Sequence, residues 1–178
     1  MTKMMRMLQG IVGLIVVSSF AVLASAEEFA IGKPVEKHGM EIAAVYIEPA
    51  VSQDDYWGGV PLEEGATIHL EADIHATKDN RYGFDAGDWI PYLTVEYTLR
   101  NLETGEVQNG SLWQMAATDG PHYGVNLKLM PGRYTLIYTI YPPSSAGLGR
   151  HTDTETGIPE WWEVFTVECT FDYQRSRQ

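Results

Sequence analysis

Residues 67 to 75 read Thr67-Ile68-His69-Leu70-Glu71-Ala72-Asp73-Ile74-His75. Apolar and polar side chains alternate at every position, which is the period of a β-strand with one face in a core. The polar face carries four successive residues of types that bind metals. Side chains two apart on a strand lie about 7 Å apart on one face, so neighbouring imidazole and carboxylate groups can reach one ion between them. The stretch predicts a metal-binding strand, and the common alternative is a half-buried strand that faces water.

Six further segments have the composition or the alternation of short strands, and turn residues separate them. The predicted strands are residues 41–47, 67–76, 92–101, 110–116, 125–129, 133–141 and 164–173. None of these segments has a helical period. Seven short strands with Gly and Pro at their connections favour an all-β fold, specifically an immunoglobulin-like antiparallel β-sandwich. A closed β-barrel is the alternative.

Two predicted connections are long, residues 49–66 and 142–162. Long loops on a rigid sandwich often carry binding residues. The first contains Tyr56 and Trp57, and the second contains His151 in a polar, Gly-rich segment. Both connections are therefore expected to carry functional side chains.

The N-terminus has the features of a secretory signal peptide. A basic start at Lys3 and Arg6 precedes a largely apolar stretch, and Ala24-Ser25-Ala26 is a cleavage site of the A-x-A type. The apolar stretch is short for a membrane span. We expect residues 1–26 to be removed on export and residues 27–178 to form one β-sandwich metal-binding domain.

The charge of the chain narrows the classes of partner. It contains 24 acidic and 12 basic residues, for a formal net charge of −12. Such a surface is a poor partner for nucleic acid or anionic lipid, whereas it attracts cations. Cys169 is the only cysteine, which excludes an intramolecular disulfide. Because it lies on the apolar face of an alternating segment, we interpret it as a buried core residue rather than a ligand.

Three residues outside the opening strand are candidate ligands. Met115 and His122 bracket a segment with Asp-Gly-Pro, whose turn could bring thioether and imidazole together, and both groups suit copper. His151 lies in a polar loop where a histidine has little packing to do. The alternatives are a core methionine, a structural histidine in a turn and a surface histidine. His38 lacks nearby ligand types and is interpreted as a surface residue.

Common catalytic motifs are absent from the sequence. It has no Gly-x-Ser-x-Gly elbow, no phosphate-binding Gly-rich loop, no His-Glu-x-x-His and no regular calcium loop. A hydrolase that uses paired carboxylates needs no fixed spacing, and nothing in the sequence indicates one.

Five motifs together resemble the periplasmic iron-transport proteins of bacterial copper-dependent iron-uptake systems. They are Gly39-Met-Glu-Ile-Ala-Ala-Val-Tyr46, His69-Leu-Glu-Ala-Asp-Ile-His75, Gly87-Asp-Trp-Ile-Pro-Tyr-Leu-Thr94, Asp119-Gly-Pro-His-Tyr-Gly124 and Arg150-His-Thr-Asp-x-Glu-Thr-Gly157. The similarity spans almost the whole chain after residue 26, in order. It implies an immunoglobulin-like sandwich that forms a homodimer, binds copper and acts in iron uptake with an inner-membrane iron permease.

The resemblance also implies a set of copper ligands. Carried over position by position, they are His69, Glu71, Met115, His122 and His151. Members usually read Met-Pro-Met before the Asp-Gly-Pro turn, whereas this chain has Trp113-Gln114-Met115 and retains only the second methionine.

The ligand chemistry fits a protein that handles two metals. Nitrogen and sulfur donors favour copper, whereas carboxylate oxygens such as those of Glu71 and Asp73 suit iron, as ligands that hold or relay it. The role of His75 stays open. An exported copper-dependent oxidase acting on iron or another small reductant is the alternative function, although a blue-copper His₂Cys site conflicts with a single, buried cysteine. We expect a transport component rather than an enzyme.

Overall fold

The computed structural model describes residues 27–51 and 65–175. The expected signal peptide, residues 1–26, lies outside these residues, as do Tyr56 and Trp57 of the first long connection. The strands are β1 (Glu27–Ala30), β2 (Val35–Lys37), β3 (Met40–Glu48), β4 (Ile68–Ala76), β5 (Thr94–Asn101), β6 (Val107–Ala117), β7 (Gly120–Leu127), β8 (Gly132–Tyr141) and β9 (Phe165–Tyr173). A single-turn 3₁₀-helix, Pro143–Ala146, begins the second long connection.

All strand pairs are antiparallel, in the order β1-β3-β4-β7-β6-β5-β8-β9, with β2 beside β3. The strands form two sheets that share β6. One contains β1, β2, β3, β4, β7 and the second half of β6, which pairs with β7; the other contains β5, β8, β9 and the first half of β6, which pairs with β5. The Tyr138 hydroxyl on β8 donates to the Glu71 carbonyl on β4 at 2.8 Å, which ties one sheet to the other. No ladder joins β9 to β1 among the described residues, so the fold is the predicted immunoglobulin-like sandwich and not the closed barrel.

Strand β4 lies at the centre of its sheet, between β3 and β7. Its inward side chains, Ile68, Leu70, Ala72 and Ile74, are fully buried in the core. The opposite face is less open than a wet sheet surface, since His69 is 0% exposed and Glu71 only 6%. The alternation of the sequence is thus confirmed, but both faces of this strand exclude water at the first two ligand positions.

The seven predicted strands are confirmed, and two short strands, β1 and β2, were missed. Strand β7 begins at Gly120, five residues before the predicted strand, so that His122 lies within a strand rather than in a turn. Gly120-Pro121 suggested a break, but proline is tolerated at the first positions of a strand. The hairpin from β6 to β7 is therefore shorter than expected.

Cys169 faces the core from β9, but it is half-buried rather than fully buried. Burial still raises the pKa of its thiol, which disfavours the reactive thiolate.

In the described part of the chain, no helix is long and apolar enough to cross a membrane.

Candidate metal centre

Three side chains from two adjacent strands converge on the outer face of the sheet. Nε2 of His69 lies 3.4 Å from Oε1 of Glu71, and Nε2 of His122 lies 3.3 Å from the same oxygen. One donor atom from each residue lies within 4.8 Å of the others, and all three residues are buried. Among the residues described, this is the one group of three or more His, Cys, Asp or Glu side chains close enough to share a metal ion.

The register of β4 against β7 builds this group. His69 pairs with Asn126 and Glu71 pairs with Gly124, which places His122 two residues further along the same face of β7. A Cβ atom at Gly124 would overlap Nε2 of His69 and would lie 3.2 Å from Cδ2 of His122. The absence of a side chain at Gly124 therefore leaves the space in which the two imidazoles meet.

Asn126 fixes which nitrogen of His69 is available. Its Nδ2 donates to the Val51 carbonyl at 2.8 Å, so its Oδ1 is left as the acceptor that lies 2.9 Å from His69 Nδ1. His69 Nδ1 must then carry the proton, and Nε2 presents its lone pair to the centre. Sequence reasoning missed both Asn126 and Gly124. On β7, however, His122, Gly124 and Asn126 are successive residues of one face, spaced two apart.

Electrostatics at this centre favour a bound cation. Burial, followed by the nearby charge of Asp73, raises the pKa of Glu71 to about 8. The pKa of Asp73 is also raised, by burial first, although His122 and His75 oppose the shift. The pKa of His69 is lowered by burial, which favours the neutral imidazole that a metal requires. A buried carboxyl group, Glu71, next to a half-buried one, Asp73, is costly to ionise, and a nearby cation would reduce that cost.

The donor atoms pass a direct test of fit for a metal. Nε2 of His69 and Nε2 of His122 are both buried and make no hydrogen bond. Buried polar atoms are rarely left without a partner, so two such nitrogens that face one carboxyl oxygen are typical of metal ligands. Imidazole, carboxylate and thioether form a mixed set that suits copper better than calcium or magnesium.

Met115 joins the same face from β6. It pairs directly with His122, which places the two side chains on one face with their Cβ atoms about 5 Å apart. Trp113 pairs with Gly124 in the same way and is 44% exposed. The side-chain oxygen of Gln114 accepts a hydrogen bond from the Tyr92 backbone N–H at 3.3 Å. Replacement of Met-Pro by Trp-Gln therefore leaves Met115 paired with His122 on this face of the sheet.

His151 is not brought to this group within its own chain. It lies in the exposed loop that follows the 3₁₀-helix, with 76% of its side chain exposed. Its Nδ1 lies 2.8 Å from Oγ1 of Thr156 and 3.8 Å from Oδ2 of Asp153. Of the five predicted ligands, the structure thus brings together His69, Glu71 and His122, pairs Met115 with His122 on the neighbouring strand and leaves His151 on the surface.

The remaining histidines take different places. His75 is half-buried on the outer face of β4, where it pairs with Glu41 of β3 and, through an isolated bridge, with Trp89. His38 is exposed and contacts the rings of Trp162 and Phe165, which agrees with a surface residue.

A family model described as Fe²⁺ transport protein matches residues 25–175. A UPF0423 protein of Brucella abortus is 48% identical over 154 residues, which is 84% of either chain. FetP of uropathogenic Escherichia coli, produced recombinantly in the periplasm, is 51% identical with a TM-score of 0.76, over 83% of this chain and 96% of that one. Copper-reconstituted P19 of Campylobacter jejuni is 44% identical with a TM-score of 0.80, over 85% and 99% of the two chains.

Proposed function

Because the chain belongs to the Fe²⁺ transport protein family, we propose that it is an exported periplasmic protein that binds copper and acts in high-affinity iron uptake with an inner-membrane iron permease. In this proposal residues 1–26 are a cleaved signal peptide and residues 27–178 are the mature domain. The observation that carries the copper role is the pair of buried, unpartnered Nε2 atoms of His69 and His122 that face Glu71. Copper-reconstituted P19, which is 44% identical to this chain, supports copper as the bound ion, and the family supports iron as the transported one.

The copper ligands are His69, Glu71, Met115, His122 and His151. The first four share one face of neighbouring strands, whereas His151 is exposed and outside that group. In a dimer the exposed His151 of one copy can reach the metal centre of the other copy, although it lies outside the centre of its own chain. The homodimer is then a functional unit in which each copy completes the other copy's copper site.

Iron is the transported ion. Asp73 follows Glu71 on the same face of β4, and burial together with neighbouring acidic groups raises the pKa of both carboxyls. Carboxylate oxygens bind iron well, whereas imidazole and thioether groups bind copper more strongly. Adjacent donor sets of these two kinds support an iron site next to the copper site.

Titration of the purified mature protein with copper tests the ligand set. Loss of a residue that hydrogen-bonds to a metal ligand typically lowers metal affinity by about 10- to 100-fold. We expect His122→Ala and His151→Ala to lower the copper affinity by more than this, because they remove ligands themselves. His38→Ala is the matched control, since His38 is a surface histidine, and it should bind copper as the wild type does. Loss of copper in His38→Ala with retention in His122→Ala would contradict the assignment.

Two further measurements test the metal identities and the iron role. Anomalous scattering at the copper and iron edges from crystals of the loaded protein should place copper at the histidine cluster and iron at neighbouring carboxylates. Cells that depend on this protein should fail to grow under iron restriction when Glu71→Gln replaces the wild type. Normal growth with a folded Glu71→Gln protein would leave a copper-only function.

A further inference from the structure

The loop that carries His151 holds this exposed side chain in one orientation. Nδ1 of His151 lies 2.8 Å from the Thr156 hydroxyl, and that hydroxyl donates to Oδ2 of Asp153 at 2.9 Å. Exposed histidines ordinarily exchange between rotamers and tautomers in water. Here three side chains within six residues form a continuous chain of hydrogen bonds, although His151 is not packed against the core.

The chemistry of the three groups determines which one donates in each of these two hydrogen bonds. An ionised carboxylate only accepts, so the single hydroxyl hydrogen of Thr156 points to Asp153. The Thr156 oxygen is then free only to accept, and Nδ1 of His151 must donate to it. Nε2 of neutral His151 therefore carries the lone pair, as Nε2 of His69 does behind Asn126.

The backbone of the loop is fixed around the same groups. Oδ1 of Asp153 accepts from the N–H groups of Glu155 and Thr156 at 3.0 and 2.8 Å. The Gly157 N–H donates to the Asp153 carbonyl at 3.1 Å, and a Cβ atom at Gly157 would overlap that carbonyl. The Ile158 N–H donates to the His151 carbonyl at 3.1 Å, and Ile158 packs against the core. The imidazole is thus held by a loop that is itself anchored.

We propose that Thr156, supported by Asp153, is a positioning residue that presents Nε2 of His151 as a preformed ligand for copper in a second copy of the chain. This inference rests on the proposed copper function. It explains why the hydrogen bonds of Asp153 and Thr156 converge on one exposed histidine. A ligand fixed in advance loses little freedom on binding, so the site of the partner is completed without reordering of the loop.

Nitrogen NMR of His151 in the metal-free protein tests the orientation without any metal. In the wild type and in Thr156→Ser, which keeps the hydroxyl, the proton should reside on Nδ1. In Thr156→Val, which has the same shape without a hydrogen-bonding group, the ring should show a mixture of tautomers. Thr154→Val is the matched control, because Thr154 is an exposed threonine of the same loop, and it should behave as the wild type.

Copper titration of the same variants tests the consequence for binding. Thr156→Val should weaken copper binding by about 10- to 100-fold, whereas Thr156→Ser and Thr154→Val should remain within about twofold of the wild type. An unchanged tautomer or an unchanged affinity in Thr156→Val overturns the positioning role, while loss of copper in His151→Ala would still uphold the copper function. Unchanged copper binding in His151→Ala would overturn both the ligand assignment and the role of Thr156.

Discussion

Gly124 and His69 occupy neighbouring strands so closely that a Cβ atom on Gly124 would overlap Nε2 of His69. The nitrogen that would be displaced is one of the two unpartnered atoms that indicate the metal centre. A glycine opposite Glu71 is therefore as necessary to this cluster as its candidate ligands are. The centre depends on the lack of a side chain at Gly124 of β7 as well as on the imidazole of His122 on the same strand.

Gly124→Ala should abolish or severely weaken copper binding, because the added methyl group displaces the His69 ring. Overpacking of this kind typically costs about 1–3 kcal/mol of stability, so the variant should remain folded in a domain of this size. Copper titration and thermal unfolding of the metal-free protein measure the two effects. Gly149→Ala, where an added Cβ atom meets no neighbour within 4 Å, is the control. Wild-type copper affinity in Gly124→Ala would show that the imidazoles do not meet in this space.

Asn126→Leu should reduce copper affinity by about 10- to 100-fold, because the group that holds His69 in its tautomer is lost. It should also lower the free energy of unfolding by about 1–3 kcal/mol, since the buried Nδ1 of His69 loses its acceptor. Asn126→Asp retains an acceptor oxygen and should recover most of the affinity. Asn109→Leu, at an exposed position on β6, is the control. Equal copper affinity in Asn126→Leu and Asn109→Leu would count against this role.

The metal-free protein should lose stability as the pH rises from about 6.5 to 8. The Glu71 pKa is raised from 4.5 to about 8 in the folded state, so in this range the folded protein keeps a proton that the unfolded chain has released. On account of this carboxyl the free energy of unfolding should fall by about 1.4 kcal/mol per pH unit near pH 6.5, and by about half as much per unit near pH 8, where the folded carboxyl is itself half ionised. Below about pH 4.5 both states are protonated, and the contribution no longer changes.

Glu71→Gln provides the comparison for this pH dependence. Glutamine has nearly the same shape and does not titrate, so urea unfolding of this variant should show a shallower slope between pH 6.5 and 8. Subtraction of the two curves isolates Glu71 from His69, whose lowered pKa acts mainly at lower pH. Parallel curves for the two proteins would mean that the Glu71 carboxyl is already ionised in the folded state.

Mixed dimers test whether His151 acts on the partner copy. If it does, a dimer of one His122→Ala chain and one His151→Ala chain contains one complete site. That site combines the intact cluster of the His151→Ala chain with the intact His151 of the His122→Ala chain. We expect about half of the wild-type copper content per mixed dimer, although neither parent variant binds tightly. Purification through two different tags and metal analysis provide the measurement. No recovery of copper would place His151 in the same chain as its site, or outside the site.

The regular parts of the fold were predictable because their signals are local. Composition, period-two alternation and turn residues identified seven of the nine strands, and β4 was predicted within one residue of its observed start. Strands β1 and β2 have three or four residues each and pair only with β3, so their formation depends on that partner rather than on their own sequence. The Gly-Pro pair hid the start of β7, because strand pairing overrides a local turn signal.

The candidate site was predictable in its ligand types but not in its supporting residues. The side chains of His69 and Glu71 share a face in any strand, and the turn suggested Met115 next to His122. Asn126 and Gly124 carry no such signal, since a polar residue and a glycine are common in strands. Their roles arise only from the register of β4 against β7, which no local pattern specifies.

By itself, the sequence of this protein determined an all-β fold and a strand with a row of metal-binding side chains, because both follow from the alternation of residues along one segment. Only the tertiary structure decided which nitrogens are free, which carboxyl is buried and which histidine stands apart. Those properties depend on contacts between residues far apart in the chain, such as His69 with Asn126, and on the exposure of the His151 loop. The strand supplies two candidate ligands, and its neighbours determine what these can bind.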